Sequence, residues 1–236
     1  MTDSKEITAR LISKIQRTPT IISFRFAIEE KIDFLPGQFM EVIFDESNRD
    51  LRHLLSFSSS PNKNYIEFTK RISGSLFSEK LNALNSRDTV LLKLPLGRCC
   101  VGSDSKKIAF LTGGIGITPA ISIIEDIVEK KQDTGVVLFY SNKTESEIAF
   151  KDELLEWENN NDNIKVIYTV SDDTPGNDKY VQGRINKDLI KENLLDINER
   201  MFFIFGPPAM VESLKSMLLD MGVDKNRIEI ERFIGY

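Results

Sequence analysis

Two glycine-bearing turns carry the clearest chemical signal in the sequence. Leu111-Thr112-Gly113-Gly114-Ile115-Gly116-Ile117-Thr118-Pro119 joins a short apolar run to a segment of helical period. Glycines there let a backbone approach a bulky anion, and a helix N-terminus offers unpaired N–H groups and a positive dipole end to a pyrophosphate. The turn is not a Gly-x-x-x-x-Gly-Lys-Ser/Thr phosphate loop. Nor is it a full Gly-x-Gly-x-x-Gly, because Pro119 occupies the third glycine position, so P-loop kinase and ATPase chemistry fails. Taken alone, a tight ligand-free turn explains it as well as a phosphate site does. Phe205-Gly206-Pro207-Pro208-Ala209-Met210 closes a later apolar run. Ligands in doubly wound sheets sit outside the carboxyl ends of strands, where two such turns can line one crevice. A Gly-Pro helix start accounts for Pro207 and Pro208 but not for the pairing of the turns.

The scarce residues exclude other chemistries. His53 is the single histidine and the only cysteines are the adjacent Cys99 and Cys100, so neither a Cys/His zinc site nor a four-thiolate iron–sulfur cluster can be assembled. Adjacent cysteines rarely bridge, which leaves no disulfide framework and points to a reducing, cytoplasmic setting. Cys99 and Cys100 read as small, partly buried apolar groups rather than a redox pair. His53 lies three residues before Ser56 without a nucleophile elbow, so a hydrolase triad is not expected. Glu125-Asp126 and Asp152-Glu153-Glu156 read as solvated helix faces, and Trp157 as a packing residue. With 31 basic and 36 acidic residues the net charge is −5, and no Lys/Arg block marks a nucleic-acid partner. Met1–Lys14 mixes acids and bases, and no apolar stretch approaches about 18 residues, so neither a secretion signal nor a membrane span is expected.

The elements that would position these residues fall into two sets, as a length of 236 residues allows. Period-2 or β-branched segments at 7–17, 20–28, 38–44, 51–58, 65–71 and 89–94 read as strands, and 75–85 as one helix. Six short strands with one helix imply a small antiparallel barrel over residues 1–101. After a polar link near 102–106, apolar runs at 107–112, 135–141, 164–170 and 201–205 alternate with helical stretches at 118–131, 147–159, 187–194 and 208–221. That rhythm implies right-handed crossovers and a doubly wound α/β domain with a parallel sheet over 102–236.

Pro36-Gly37-Gln38-Phe39, the run Arg52–Pro61, both glycine turns and the late Glu231-Arg232-Phe233 occur in an order that resembles the ferredoxin-NADP reductase-like flavoprotein superfamily. The resemblance covers essentially the whole chain. It implies an N-terminal FAD-binding barrel and a C-terminal NAD(P)-binding domain, with hydride passing from nicotinamide C4 to flavin N5 in the cleft between them. The family's Arg-x-Tyr-Ser motif falls on His53-Leu54-Leu55-Ser56, with Phe57 and Ser58 following. A histidine thus replaces the usual arginine and Leu55 the usual aromatic ring. Either Arg52, one residue early, or His53, with a weaker and pH-dependent charge, would reach the FAD pyrophosphate. Ser56 matches the serine near flavin N5; its bland alternative is an ordinary serine in a Ser-rich run.

Thr69-Lys70-Arg71 and Gly74-Ser75-Leu76-Phe77-Ser78 resemble the second FAD segment, a strand and a phosphate-facing helix start, with Ser75 where a glycine is usual. In the second domain the resemblance assigns Gly113, Gly114, Gly116, Thr118, Pro119, Phe205, Gly206, Pro207 and Met210 to the nicotinamide dinucleotide. Phe205 stands where many members have a cysteine. Glu231 and Phe233 resemble the late glutamate and flavin-stacking aromatic, although Ile228, Ile230 and Phe233 also fit a core-facing final strand. Ser141 and Lys143 follow the second strand of this domain, where the adenosine ribose is often met, and Lys143 as a point charge on a 2′-phosphate favours NADPH over NADH.

The resulting expectation is an FAD-dependent NAD(P)H oxidoreductase in which Ser56, Glu231 and Phe233 shape the hydride-transfer site. With no ferredoxin-like cysteine set fused, the acceptor would be ferredoxin, flavodoxin or another redox protein on a separate chain, or a small molecule. The net negative charge argues against a surface built for an acidic ferredoxin. The rivals are a noncatalytic FAD-holding electron-transfer subunit of a larger complex, and a fold relative that has lost flavin.

Overall fold

The computed structural model describes residues 4–98, 100–102, 105–173 and 179–233. Strands β1 (Lys5–Thr18), β2 (Ile21–Ala27), β3 (Phe39–Ile43), β4 (Arg52–Ser56), β5 (Tyr65–Arg71) and β6 (Thr89–Leu96) form one antiparallel sheet in the order β4-β3-β6-β1-β2-β5. Its two edge strands meet where Phe57 bridges Phe68 and the Ser58 N–H donates to the Glu67 carbonyl at 2.9 Å. That join closes the sheet and removes open edges. Alternation along β2 and β5 turns Phe24, Phe26, Ile66 and Phe68 into a common core with Phe57 and Phe77. Phe68 stacks on both Phe24 and Phe26, at ring separations of 5.5 and 5.3 Å.

Helix α1 (Leu76–Ala83) starts at Ser75, whose hydroxyl accepts from the Ser78 N–H. This is a side-chain cap in the residue class that favours it. Phe77 and Leu81, four apart, bury one helix stripe in the barrel core.

The second sheet is wholly parallel. Strands β7 (Lys107–Gly113), β8 (Gly135–Asn142), β9 (Ile164–Val170), β10 (Tyr180–Gln182), β11 (Met201–Gly206) and β12 (Ile228–Arg232) lie in the order β10-β9-β8-β7-β11-β12. Near-continuous burial along β7, β8, β9 and β11 is what a sheet covered on both faces requires. The helices are α2 (Thr118–Glu129), α3 (Lys151–Asn160), α4 (Lys187–Asn193) and α5 (Pro208–Asp220). Leu189 and Ile190 of α4 and Val211, Leu214 and Leu218 of α5 pack on one face with Ala109, Leu111, Phe139 and Ile204. Strand order reverses at β7: β8 lies on one side and β11 on the other, and both glycine turns leave the sheet at that switch.

The strands and helices follow the expected rhythm, with ends shifted by a few residues. Two features depart from it. The three-residue strand β10 carries no run long enough to announce itself, and it forms only because Tyr180–Gln182 pairs with Tyr168–Val170. Helix α2 differs more in character. Packing groups it with the residues through 101, and the second compact unit comprises residues 102–117 and those from 130 on.

The expected solvated face of α2 is in fact its most tightly bonded one. The Ser122 hydroxyl donates to the Ser59 carbonyl at 2.8 Å, and Glu125 accepts from the Ser60 N–H at 2.6 Å. Asn62 reaches Asp126 at 3.0 Å, and Glu129 accepts from the Ser60 hydroxyl at 2.6 Å. Lys63 closes the set against Glu125 and Glu129 at 3.1 and 2.5 Å. Residues 122, 125, 126 and 129 share one helix face, so a polar stripe meets a serine-rich loop. Burial pushes the Glu125 carboxyl above its usual range, while the bonds to Lys63, Ser60 and Asn62 overcome burial at Glu129 and hold it below. Lys63 is likewise raised despite burial, by Glu129 and Glu125. Lys63→Met leaves two carboxylates in a protein environment without their cation, and should destabilise the fold by about 2 kcal/mol. Urea unfolding checks this; an unchanged midpoint would show the pair to be idle.

Candidate functional site

The two glycine turns meet. A Cβ on Gly116 would stand 2.7 Å from the Phe205 carbonyl oxygen and 2.9 Å from the Gly206 Cα, both backbone atoms. One on Gly113 would fall 2.5 Å from the Met210 sulfur. Gly116 is therefore required by the approach of β7's turn to β11's turn, before any ligand is considered, whereas at Gly113 the flexible Met210 side chain could give way. Gly114 lies at φ +52°, a left-handed conformation suited to glycine. The 3₁₀ turn Gly114–Ile117 runs straight into α2, with Thr118 and Pro119 buried in its first turn. Phe205 is fully buried and packs near Phe110 and Phe203, each with a ring separation of 6.1 Å. Pro207 is exposed at the start of α5, and Met210 is half-buried against the core.

Five side chains of this sheet hold buried polar atoms without a partner among the described residues: Thr112, Asn142, Tyr168, Thr169 and Glu231. All lie toward the carboxyl ends of β7, β8, β9 and β12, the edge where such sheets bind ligands. Ser141 is half-buried and pairs with Gly113 across the ladder, while Lys143 is exposed just beyond β8. Glu231 pairs with Phe205, and the Phe233 N–H donates to the Gly206 carbonyl at 3.0 Å, so the last strand is pinned to the β11 turn. Ile228 and Ile230 pack in the core, and Phe233, beyond the strand, is half-buried. Burial pushes the Glu231 carboxyl up to about 7.

In the barrel the expected residues have diverse fates. Arg52 is engaged: its Nε and Nη2 donate to both oxygens of Glu41 at 2.9 and 3.0 Å. The His53 ring lies 4.3 Å from that of Phe77, and burial, together with the charge of Lys70, depresses its pKa. Leu55 pairs with Met40 and packs on the core, whereas Leu54 is exposed. The Ser56 hydroxyl is buried with no partner among the described residues.

Ser58 and Thr69 face the opposite way from an open site. Their hydroxyls meet at 2.7 Å, Ser58 donates to Glu67, and Thr69 meets Ser23. Phe57 is core, and Arg71 donates to Thr20 at 2.8 Å. Lys70 is only 7% exposed, with no bond to a described residue, and burial lowers its pKa. Around the α1 start, Ser73, Ser75 and Ser78 bond to one another; a Cβ on Gly74 would meet nothing within 4 Å, and Leu76 is exposed. Cys100 is half-buried, and Cys99 lies outside the described residues.

Residues 8–100 match the family described as the oxidoreductase FAD-binding domain, and residues 110–216 that described as the oxidoreductase NAD-binding domain. The chain belongs to the ferredoxin-NADP reductase-like superfamily. Among curated relatives it is 24% identical to a flavohemoprotein of Oceanobacillus iheyensis over 95% of this chain and 58% of that one. It is 26% identical to NADH-cytochrome b5 reductase 1 of Mortierella alpina over 92% and 75% of the two chains. The chain thus spans little more than half of the flavohemoprotein. Among solved structures, a ferredoxin NADP+ reductase from Neisseria gonorrhoeae with bound FAD and NADP superposes with a TM-score of 0.82 at 23% identity, covering 97% and 98% of the chains. The cytochrome b5 reductase domain of Ulva prolifera nitrate reductase gives 0.83 at 25% identity, covering 96% and 97%.

The reductase-like fold and both cofactor classes were readable from motifs; the fates of individual side chains were not. The signals missed were the acidic stripe of α2 and the polar atoms Asn142 and Thr169. Among the described residues no cluster of metal-ligating side chains occurs, and no helix is long and apolar enough to cross a membrane.

Two outcomes test this geometry. Gly116→Ala must push the β7 and β11 turns apart and should cost about 1–3 kcal/mol of stability, whereas Gly74→Ala, in open space, should leave the unfolding midpoint within about 0.5 kcal/mol of the parent. Equal effects would show that the turns yield freely. For Glu231 the sign follows from its raised value. Between the unfolded value of 4.5 and the folded value of about 7 the unfolded chain releases a proton that the folded chain keeps, so stability falls as pH rises through that window. Glu231→Gln should therefore gain up to about 3 kcal/mol above pH 7 and nothing below the window. Parallel melting curves at all pH values would refute the assignment.

Proposed function

We propose that the protein is an FAD-dependent NAD(P)H oxidoreductase that hands electrons to a separate acceptor. The observation that carries this reading is the pair of matched domains, supported by buried polar groups without a partner among the described residues: Ser56 in the barrel, and Thr112, Asn142, Tyr168, Thr169 and Glu231 toward the strand ends of the sheet. Each such group costs about 1–3 kcal/mol unless something bonds it. The residues fit the cofactors.

Bound FAD would supply the hydride-accepting ring and one- or two-electron release, chemistry that belongs to the cofactor. The chain's own residues orient it. The unspent Ser56 hydroxyl can donate to or accept from a flavin ring, and Leu55 gives it apolar contact. Glu231, with a pKa near 7, holds or releases a proton at its buried oxygen around neutral pH. Met210, Gly206 and the Gly113–Gly116 turn shape the dinucleotide edge, with Phe205 packed behind them, and Phe233 follows the β11 turn. Exposed Lys143 supports NADPH, whereas several relatives are named for NADH, so either nucleotide is admitted. The acceptor is a redox protein or a small molecule. Relatives include an anthranilate dioxygenase electron transfer component of Acinetobacter baylyi, which fits a partner on another chain. The adjacent cysteines support a cytoplasmic setting.

The visible spectrum of purified protein, before and after anaerobic NADPH and NADH, tests the proposal. Flavin bands that bleach with one nucleotide are expected. Bound flavin that neither nucleotide bleaches would replace the reductase with a relay subunit, and failure to take up FAD would sink both.

A further inference from the structure

The parallel sheet has a cleft at the end opposite its glycine turns. It encloses about 480 Å³ among residues of the second compact unit, with Lys107 at the start of β7, Met201 at the start of β11 and Arg227 just before β12. The seven residues of β7, at about 3.3 Å each, put about 20 Å between the cleft and the turn that starts at Gly113. The cleft is therefore separate from the nucleotide edge.

Its volume falls in the ordinary range for a small-molecule site. Its charge narrows the class of ligand. Lys106, Lys107 and Arg227 line it with one described carboxylate, Glu199, in a chain of net charge −5. Glu199 is spent on Lys107 at 2.7 Å, and Lys107 also meets Asp196 at 2.9 Å, which Arg200 grips through two nitrogens. Two cations are left over. Lys106 is exposed, and no hydrogen bond or ion pair ties it to a described residue. Arg227, half-buried, gives one nitrogen to the Glu199 carbonyl at 3.1 Å and keeps its other donors. Ser105 lines the same space, and its hydroxyl bonds no described residue. Guanidinium, ammonium and hydroxyl donors with no carboxylate to spare suit a phosphate group, whose oxygens accept.

We propose that this cleft is a binding site for a small phosphate monoester, its phosphate held by Lys106, Arg227 and Ser105 and its organic part laid on Met201. The volume exceeds what a lone phosphate fills, and the half-buried Met201 is an apolar side chain on its wall. The assignment stands apart from the cofactor reading, since none of these residues belongs to the barrel or to either glycine turn.

Calorimetric titration of the full chain with phenyl phosphate and with inorganic phosphate, at fixed ionic strength, tests it. Phenyl phosphate should bind about threefold or more tighter than phosphate, through its apolar part. Arg227→Met and Lys106→Met should each weaken it about fivefold or more, and Arg227→Lys should keep part of the affinity without the two-pronged geometry. Lys225→Met removes the same charge from an exposed residue outside the cleft and should change binding less than about twofold. Lys106 is exposed and tied to no described side chain, so Lys106→Met reads binding even if Arg227→Met folds poorly. Unchanged affinity in both cleft variants would overturn the assignment and give the phosphate to another surface, the nucleotide edge included. An equal loss in Lys225→Met would reduce the effect to diffuse surface charge and overturn it as well. A parent that binds neither probe would refute the site outright.

Discussion

The docking of α2 on the loop after β4 is the constraint from which much else follows. Carboxylates removed from water must find donors, and Glu125, Asp126 and Glu129 find theirs in Ser60, Asn62 and Lys63, with Ser122 anchoring to the Ser59 carbonyl. A hydrophobic contact could slide by a turn at modest cost. A hydrogen-bonded polar stripe resists it, because another register would leave several groups unpaired. The serine run following Ser56 is therefore less a collection of flavin ligands than the mount for a helix. That helix follows the Gly114–Ile117 turn directly in the chain.

A second constraint is steric. The turns after β7 and β11 come so close that side chains at Gly113 and Gly116 would strike Met210 and the Phe205–Gly206 backbone. Glycine at position 116 serves two ends at once, since the backbone closeness that forbids a Cβ there also places two strand ends at the topological switch of the sheet. A ligand reading based on glycine alone would have missed the packing reason; a packing reading alone would have missed the edge those turns define.

Much of the architecture was legible because it depends on period. The alternation in β2 and β5 and the buried runs of β7 and β11 each record one neighbour on each face. What escaped depends on partners distant in sequence. Nothing local to Glu125 announces Ser60, and nothing local to Arg52 announces that Glu41 sits diagonally across the β3–β4 ladder. Thr69 and Ser58 look like site hydroxyls in sequence, yet strand alternation turns them to Ser23 and Glu67. β10 is three residues long and owes its form to a neighbour. Motif order thus identified the family, while the commitment of Arg52 to Glu41 emerged only from the full set of ion pairs.

The distribution of unmet polar groups carries the argument to its end. A folded chain satisfies nearly all of its buried donors and acceptors, so exceptions should scatter if they were accidents of packing. Here those of the parallel sheet gather toward the carboxyl ends of four strands, on residues as different as threonine, asparagine, tyrosine and glutamate. In the barrel, Ser56 ends the strand that carries His53, with a hydroxyl that has no partner among the described residues. What those of the sheet share is position, at the edge where α/β sheets receive ligands. Each such group costs about 1–3 kcal/mol while unpaired, so any ligand that bonds them also stabilises the fold.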